Sequence, residues 1–318
     1  MSIFKLDPAF KDYIWGGTRL RDEYGKKCDY DKVAESWELS CHKDGPSVVA
    51  DGEYKGLTLN EYIEKAGKGV LGKNCERFEN FPILIKLIDA KDNLSVQVHP
   101  DNDYAMRVEG EYGKTEMWYV VDCDEGATLL YGFKHEITKE EFARRIADNT
   151  LLEVTNAVPV KKGDVFFIKS GTLHAIGKGI LIAEIQQNSN TTYRIYDYGR
   201  VGKDGKPREL HVNKALDVTK LAPAEQYSET PVEKKDGYDI KLLSKCEYFT
   251  TYRVNVETKA ELDADENSFN SILVLEGEPV ISGGETVSAK KGESVFISAG
   301  TGKYTVEGKC TFVLTKID

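Results

Sequence analysis

Lys161-Lys162-Gly163-Asp164-Val165-Phe166-Phe167-Ile168-Lys169-Ser170-Gly171-Thr172 returns later in the chain as Lys290-Lys291-Gly292-Glu293-Ser294-Val295-Phe296-Ile297-Ser298-Ala299-Gly300-Thr301. In both copies a lysine-glycine-acid turn feeds a short apolar run, and a glycine-threonine turn feeds the next. The spacing is constant: Gly163 falls on Gly292, Ile168 on Ile297 and Thr172 on Thr301. Further short runs rich in Val, Ile, Phe and Tyr cover 81–88, 117–121 and 180–185. Short apolar runs bounded by Gly and Asp turns read as strands, so the chain is predicted to be mostly β and built as two related β-barrels. Residues 223–236 are polar and include Pro223 and Pro231, which makes them the expected linker between a first unit, 1–222, and a second, 237–318. Helices are a minority. Thr58-Leu59-Asn60-Glu61 is a capping box opening a helix toward Ala66, Thr138-Lys139-Glu140-Glu141 opens another through Phe142 and Ile146 toward Leu151, and a short one covers Asn213 to Asp217.

The same repeat spacing sets His174 against Lys303, and no histidine follows His211. The first barrel therefore holds something that the second lacks. Gln97 and His99 lie two apart in Leu94-Ser95-Val96-Gln97-Val98-His99, so a strand points both to one side. Glu116 lies in Gly113-Lys114-Thr115-Glu116-Met117-Trp118, and His174 in Ser170-Gly171-Thr172-Leu173-His174. Two imidazoles, a carboxylate and an amide on strand-like segments are suited to surround one divalent ion. Taken singly each has an ordinary alternative: a buried amide satisfied by backbone, a turn histidine before Pro100, a solvated strand carboxylate, and a histidine after a tight turn. Lys114 shares a face with Glu116, and a cation beside a metal calls for an anion between them; its ordinary alternative is an exposed strand lysine.

The chain of 318 residues has 40% hydrophobic and 30% charged residues, as in an ordinary globular protein. Its net charge of −10 argues against nucleic acid or an acidic membrane as the main partner, while leaving room for a local positive pocket that takes a small anion. The opening Met1-Ser2-Ile3-Phe4-Lys5 lacks a basic head and apolar core, and no apolar run is long enough to cross a membrane, so a cytoplasmic protein is expected. Cys28, Cys41, Cys75, Cys123, Cys246 and Cys310 form no CxxC pair, which points to reduced thiols.

The stretch 183–200 follows the His174 strand and is dense in hydrogen-bonding and aromatic side chains, a composition suited to a polyhydroxylated ligand or, in the ordinary case, to a polar surface loop. Arg194 and Arg200 within it are suited to gripping a phosphate or stabilising an oxyanion. His211 is assigned to structure or the pocket edge, and His42 and His135 to structural or exposed positions.

Taken in order, Tyr13-Ile14-Trp15-Gly16-Gly17, Ala34-Glu35-Ser36-Trp37-Glu38, Phe81-Pro82-Ile83-Leu84-Ile85-Lys86, Leu94 to Asp101, Gly113 to Trp118, Gly171-Thr172-Leu173-His174-Ala175 and Asn188 to Arg194 resemble the type I mannose-6-phosphate isomerases, in their short bacterial form. The resemblance implies a cupin fold (a jelly-roll, or double-stranded β-helix) and one Zn²⁺ per chain held by Gln97, His99, Glu116 and His174. It implies a sugar phosphate substrate and a catalytic role for Arg194, with Lys114 and Glu184 as candidates to shuttle a proton. Ser95, Lys86 and Arg200 are expected to bind substrate, and the assembly is expected to be a monomer or weak homo-oligomer. One departure stands out: longer family members carry His-Lys-Pro-Glu where this chain has Gly113-Lys114-Thr115-Glu116. The large helical insertion of those enzymes is missing, leaving only 136–158. Two rival readings are a cupin dioxygenase, with iron on His99, His174 and Glu116, and a sugar-binding double cupin without activity. Gln97, Lys114 and Arg194 count against the first, and Lys114 with Arg194 beside a metal is more than the second requires.

Overall fold

The computed structural model describes residues 2–202, 205–226 and 228–318. Alternation along the central strands decides the architecture. In Glu116–Cys123, Met117, Tyr119 and Val121 join one buried cluster, while Trp118 and Val120 join another on the opposite face. Ile180–Gln187 divides the same way, with Leu181, Ala183 and Ile185 against Ile180 and Ile182. A strand buried on both faces must be covered twice, which makes these runs almost continuously apolar and stacks the sheets in layers.

The described residues form four sheets. The six-stranded sheet runs, in spatial order, Ala9–Lys11, Glu35–Leu39, Ile83–Ala90, Ile180–Gln187, Glu116–Cys123, Val165–Ile168. The five-stranded sheet runs Tyr193–Tyr196, Val96–Val98, His174–Ala175, Thr128–Phe133, Thr155–Pro159. Between these two lie Trp118, Val120, Ile182 and Leu129, the inside of the first jelly-roll. In the second unit an eight-stranded sheet faces a four-stranded one made of Lys259–Ala264, Gly302–Glu307, Val280–Ser282 and Thr286–Ser288. Val254, Val274, Val306 and Phe312 fill that interior. The six- and eight-stranded sheets pack back to back through the cluster that joins Ile85, Met117 and Leu181 to Leu273, Phe296 and Val313. Each expected barrel is thus a two-sheet sandwich of cupin type.

Two boundaries differ from expectation. Ile3–Asp7 does not belong to the first unit's sheets. It pairs antiparallel with Ser294–Ile297, Ile3 against Ile297 and Leu6 against Ser294, and brings Val48–Val49 with it onto the far edge of the eight-stranded sheet. Phe4 packs there on Phe296 and Tyr62. The linker is shorter than 223–236. Pro223 bridges to Gly132 and the Glu225 carbonyl accepts from Tyr131, while Val232–Lys235 is already the first strand of the eight-stranded sheet. Tyr227, within that linker, lies outside the described residues.

The helices follow their caps. Leu59–Ala66 opens with the Thr58–Glu61 capping box, Lys139–Ala147 opens on Thr138, and the third spans Val212–Val218. Leu151 falls beyond the second of these, in a separate turn Leu151–Glu153. Asn102–Val108, capped by Asp101 accepting from the Tyr104 amide, was not anticipated.

Candidate metal centre and active site

His174 sits opposite Gln97 in the five-stranded sheet, and Glu116 begins the facing strand of the six-stranded sheet. The three acidic and imidazole donors therefore meet across the sandwich interior. His99, Glu116 and His174 are buried at 1%, 0% and 0% exposure, a degree at which every polar atom needs a partner. His99 Nδ1 lies 2.9 Å from the Thr191 carbonyl, and His174 Nδ1 lies 2.8 Å from the Thr172 carbonyl. A carbonyl only accepts, so each Nδ1 carries the hydrogen and each Nε2 presents a bare lone pair. Those two Nε2 atoms are 3.1 Å apart. They stand 3.7 and 3.5 Å from Glu116 Oε2 and Oε1; Oε1 has no hydrogen-bond partner, whereas Oε2 pairs with Lys114 Nζ at 3.0 Å. Two bare Nε2 lone pairs and a buried, unpartnered carboxylate oxygen turn toward one another, an arrangement that a cation among them relieves, so the donor set fits a divalent ion of the zinc class. The carbonyl partners on both Nδ1 atoms are the usual orienting contacts of metal-bound imidazoles. Among the described residues this is the only such cluster of three.

Gln97 stands beside it. Its Nε2 is 3.3 Å from His174 Nε2, and its Oε1 accepts from Ser95 Oγ at 3.3 Å. Rotating the amide by half a turn presents the oxygen to the cluster instead, the orientation a ligand requires.

Burial governs the charges. It holds His99 well below its ordinary value, with Lys114 adding repulsion, and holds His174 down to about 4. Burial and the nearby Glu184 push Glu116 up to about 7, against the pull of Lys114. Above the cluster Lys114 Nζ lies 3.0 Å from Glu116 and 3.9 Å from Glu184, and Lys86 Nζ lies 3.3 Å from Glu184 and 3.4 Å from Glu35. For Glu184, burial acts to raise the pKa, but Lys114 and Lys86 outweigh it and hold the carboxyl low. Lys86 would be lowered by burial, yet Glu35 and Glu184 keep it raised. Glu184 and Lys86 thus keep their charges in a dry interior, at a desolvation cost offset by pairing with their neighbours.

These groups open into a cavity of about 250 Å³ lined by Ser95, Gln97, Lys86, Lys114, Glu184 and Arg194 together with Tyr13, Glu35, Asn190, Thr192 and Arg208. Arg194 is the most available cation. Its backbone N–H donates to His211 Nδ1, its Nη1 donates to the Glu209 carbonyl, and its buried Nε has no partner. Arg200 is placed elsewhere: it does not line the cavity, and its guanidinium is taken by Asp197 and the Asn93 carbonyl. Arg208, which the sequence did not suggest, reaches the cavity and shares Asp197 with it. Tyr13 and Glu35 lie in stretches that carried the family resemblance but had no role assigned. His211 immediately precedes Val212–Val218 without a side-chain cap, its Nδ1 accepting from the Arg194 amide; His135 is exposed, and His42 is buried against Glu111.

The second sandwich repeats the frame with other contents. Where Ile168 pairs with Glu116, Ile297 pairs with Asn270. Asn270 Nδ2 donates to Tyr304 Oη at 3.0 Å and to the Asp263 carbonyl at 2.9 Å. Lys303, which the repeat spacing sets against His174, is exposed, and its buried neighbour Tyr304 fills the interior instead. The repeat slips by one residue here, and one residue exchanges the two faces of a strand.

Comparison with known proteins agrees with the cupin fold of the chain. Residues 3–126 match the type I phosphomannose isomerase catalytic domain, and residues 239–317 match the mannose-6-phosphate isomerase cupin domain. Mannose-6-phosphate isomerase ManA of Bacillus subtilis is 39% identical over 312 residues, which is 98% of this chain and 97% of the relative. The crystal structure of mannose 6-phosphate isomerase from Bacillus subtilis superposes with a TM-score of 0.93 at 38% identity, covering 99% of each chain. A zinc-bound mannose 6-phosphate isomerase superposes with a TM-score of 0.80 over 100% of each chain at 17% identity, a likeness of fold.

Proposed function

The chain belongs to the type I mannose-6-phosphate isomerase family, and we propose that it interconverts mannose 6-phosphate and fructose 6-phosphate through a cis-enediol, with one zinc per chain on Gln97, His99, Glu116 and His174. The observation that carries this reading is the convergence of two bare Nε2 lone pairs and an unpartnered oxygen of Glu116, directly behind Gln97 and Lys114 of a cavity that Glu184 and Arg194 also line. The zinc-bound relative of the same fold supports the choice of metal. When bound, zinc supplies Lewis-acid polarisation of a carbonyl or hydroxyl oxygen.

The residues supply the rest. A base takes the proton from C2 of the open-chain sugar while a proton is given to the C1 oxygen, forming the enediol. Returning a proton to C1 and removing one from the C2 hydroxyl gives the ketose. Glu184, which lines the cavity and is held low by Lys114 and Lys86 against its burial, carries the proton between the two carbons on one face. Lys114 has N–H bonds to give to the oxygens, and the Arg194 fork meets the charge that builds on them. Ser95 and Lys86 form the wall that orients the sugar. Arg200 then works through Asp197, which also holds Arg208, and not on the substrate itself.

The test is to incubate the zinc-loaded protein with mannose 6-phosphate in D₂O and follow both sugars by NMR. Fructose 6-phosphate should accumulate, with solvent deuterium entering at C1. Zinc-replete protein that leaves mannose 6-phosphate unchanged would sink the assignment.

A further inference from the structure

The segment Asn188–Thr192 forms part of the cavity wall, supplies the carbonyl that orients His99, and leads directly into Arg194, yet it has no regular secondary structure. Something other than a strand ladder must hold it. At its start the Asn188 amide donates to the Pro82 carbonyl at 2.9 Å and Gln186 Nε2 donates to the Ser189 carbonyl at 2.6 Å; beyond that the side-chain ties converge on Glu111, on the loop between Asn102–Val108 and Glu116–Cys123. One carboxylate oxygen accepts from the Asn190 amide at 3.1 Å, from Thr191 Oγ1 at 2.9 Å and from Ser189 Oγ at 3.3 Å. The other lies 2.9 Å from His42 Nε2. The tautomer of His42 is fixed, because its Nδ1 accepts from the Asp44 amide, so Nε2 carries the hydrogen and donates to Glu111. All four partners of Glu111 therefore donate. Against the burial that would raise it, the hydrogen bonds from His42, Thr191 and Asn190 hold this carboxyl down to about 2. Asp44 adds a parallel tie, accepting from Asn190 Nδ2 at 2.9 Å.

We propose that Glu111 is a positioning residue for the metal and substrate site: it fixes the Ser189–Thr191 segment, and through the Thr191 carbonyl it sets the orientation of His99, while through Asn190 and Thr192 it shapes the cavity wall. This rests on the isomerase and zinc reading above. The role demands a carboxylate. A glutamine of the same shape must turn an NH₂ either toward the His42 N–H or toward the three donors of the segment, and either choice sets donor against donor.

Glu111→Gln tests it by zinc affinity, measured by competition with a chromophoric chelator on the full chain, alongside KM for mannose 6-phosphate and the melting temperature of the metal-free protein. Loss of an outer contact that orients a metal-bound imidazole weakens metal binding on the order of 10- to 100-fold, so zinc affinity should fall by about that factor and KM should rise. Thr191→Val, which removes one donor and keeps the carbonyl, should shift both in the same direction by less; it also serves if Glu111→Gln does not fold. Glu111→Asp should recover part of the zinc affinity. If both variants hold zinc as tightly as the wild type and only the melting temperature moves, Glu111 is merely structural and the proposal falls. The zinc titration needs no turnover, so a wild-type protein without isomerase activity would overturn the function proposed above and leave this proposal to be decided by metal affinity.

Discussion

Arg194 shows how much one side chain can be read in advance. Its place in a polar stretch after the His174 strand suggested a cation for a phosphate or an oxyanion, and the side chain lines the cavity with a buried, unpartnered Nε. Arg194→Ala should lower kcat by at least about 10²-fold, the scale of one lost oxyanion donor, with zinc content intact and KM little changed. A raised KM at wild-type kcat would instead assign it to the phosphate. Arg194→Lys should recover only part, since an ammonium lacks the planar fork. Glu116 yields a second expectation. In the metal-free protein its carboxyl lies at about 7, and zinc must displace that proton, whereas His174, down at about 4, stays neutral until far lower pH. Zinc affinity should thus fall about tenfold per pH unit below about 7, with a slope of one proton. Isothermal titration at pH 8, 7, 6 and 5 measures this, and a two-proton slope at pH 6 would show that the imidazoles compete as well. What the sequence hid were residues whose partners come from far along the chain. Glu111 looks like any loop glutamate until its loop meets 189–191, and Arg208 sits in an unpatterned polar run. Arg200 looked equivalent to Arg194, yet Asp197 three residues before it captures its guanidinium.

At the level of elements, alternation and capping were legible because both are local. Glu116, Trp118 and Val120 against Met117, Tyr119 and Val121 is a two-residue period visible in the string itself, and Thr58 with Glu61 is a cap four residues long. The helix Asn102–Val108 is not legible in the string because its only strong local signal is the cap Asp101, which directly follows the Gln97–His99 pattern and Pro100. That helix calls for a glycine at position 113. A Cβ on Gly113 would come 2.4 Å from Asp101 C and 2.5 Å from Asn102 N, backbone atoms at the start of the helix that cannot yield cheaply. Gly113→Ala should therefore cost about 1–3 kcal/mol of stability, the scale of overpacking. By shifting Lys114 it should also lower kcat/KM more than a surface mutation of equal stability cost. Thermal melts read beside kinetics decide this, and an alanine variant with wild-type melting and turnover would show that the close approach relaxes freely.

Across the whole molecule, the repeat revealed two sandwiches but not how they are joined. Nothing in Ile3-Phe4-Lys5-Leu6-Asp7 announces that it pairs with residues nearly a chain length away, because strand pairing is set by register and not by composition. Deleting residues 1–7 should consequently weaken the second unit. Hydrogen exchange should show lost protection in Ser294–Ile297, with Glu116–Cys123 nearly unchanged; the opposite pattern would contradict the pairing. The two interiors are also fastened differently. In one, opposed sheets meet at His99, Glu116 and His174, a donor set suited to a divalent ion; in the other, Asn270 and Tyr304 make the crossing with an ordinary hydrogen bond. One half of the protein therefore has a crossing that an ion from the surroundings can tighten, and the other carries its own clasp. A change in metal supply should consequently be felt in the stiffness of the first half, while its apolar layers, the back-to-back core and the self-fastened half stay as they are.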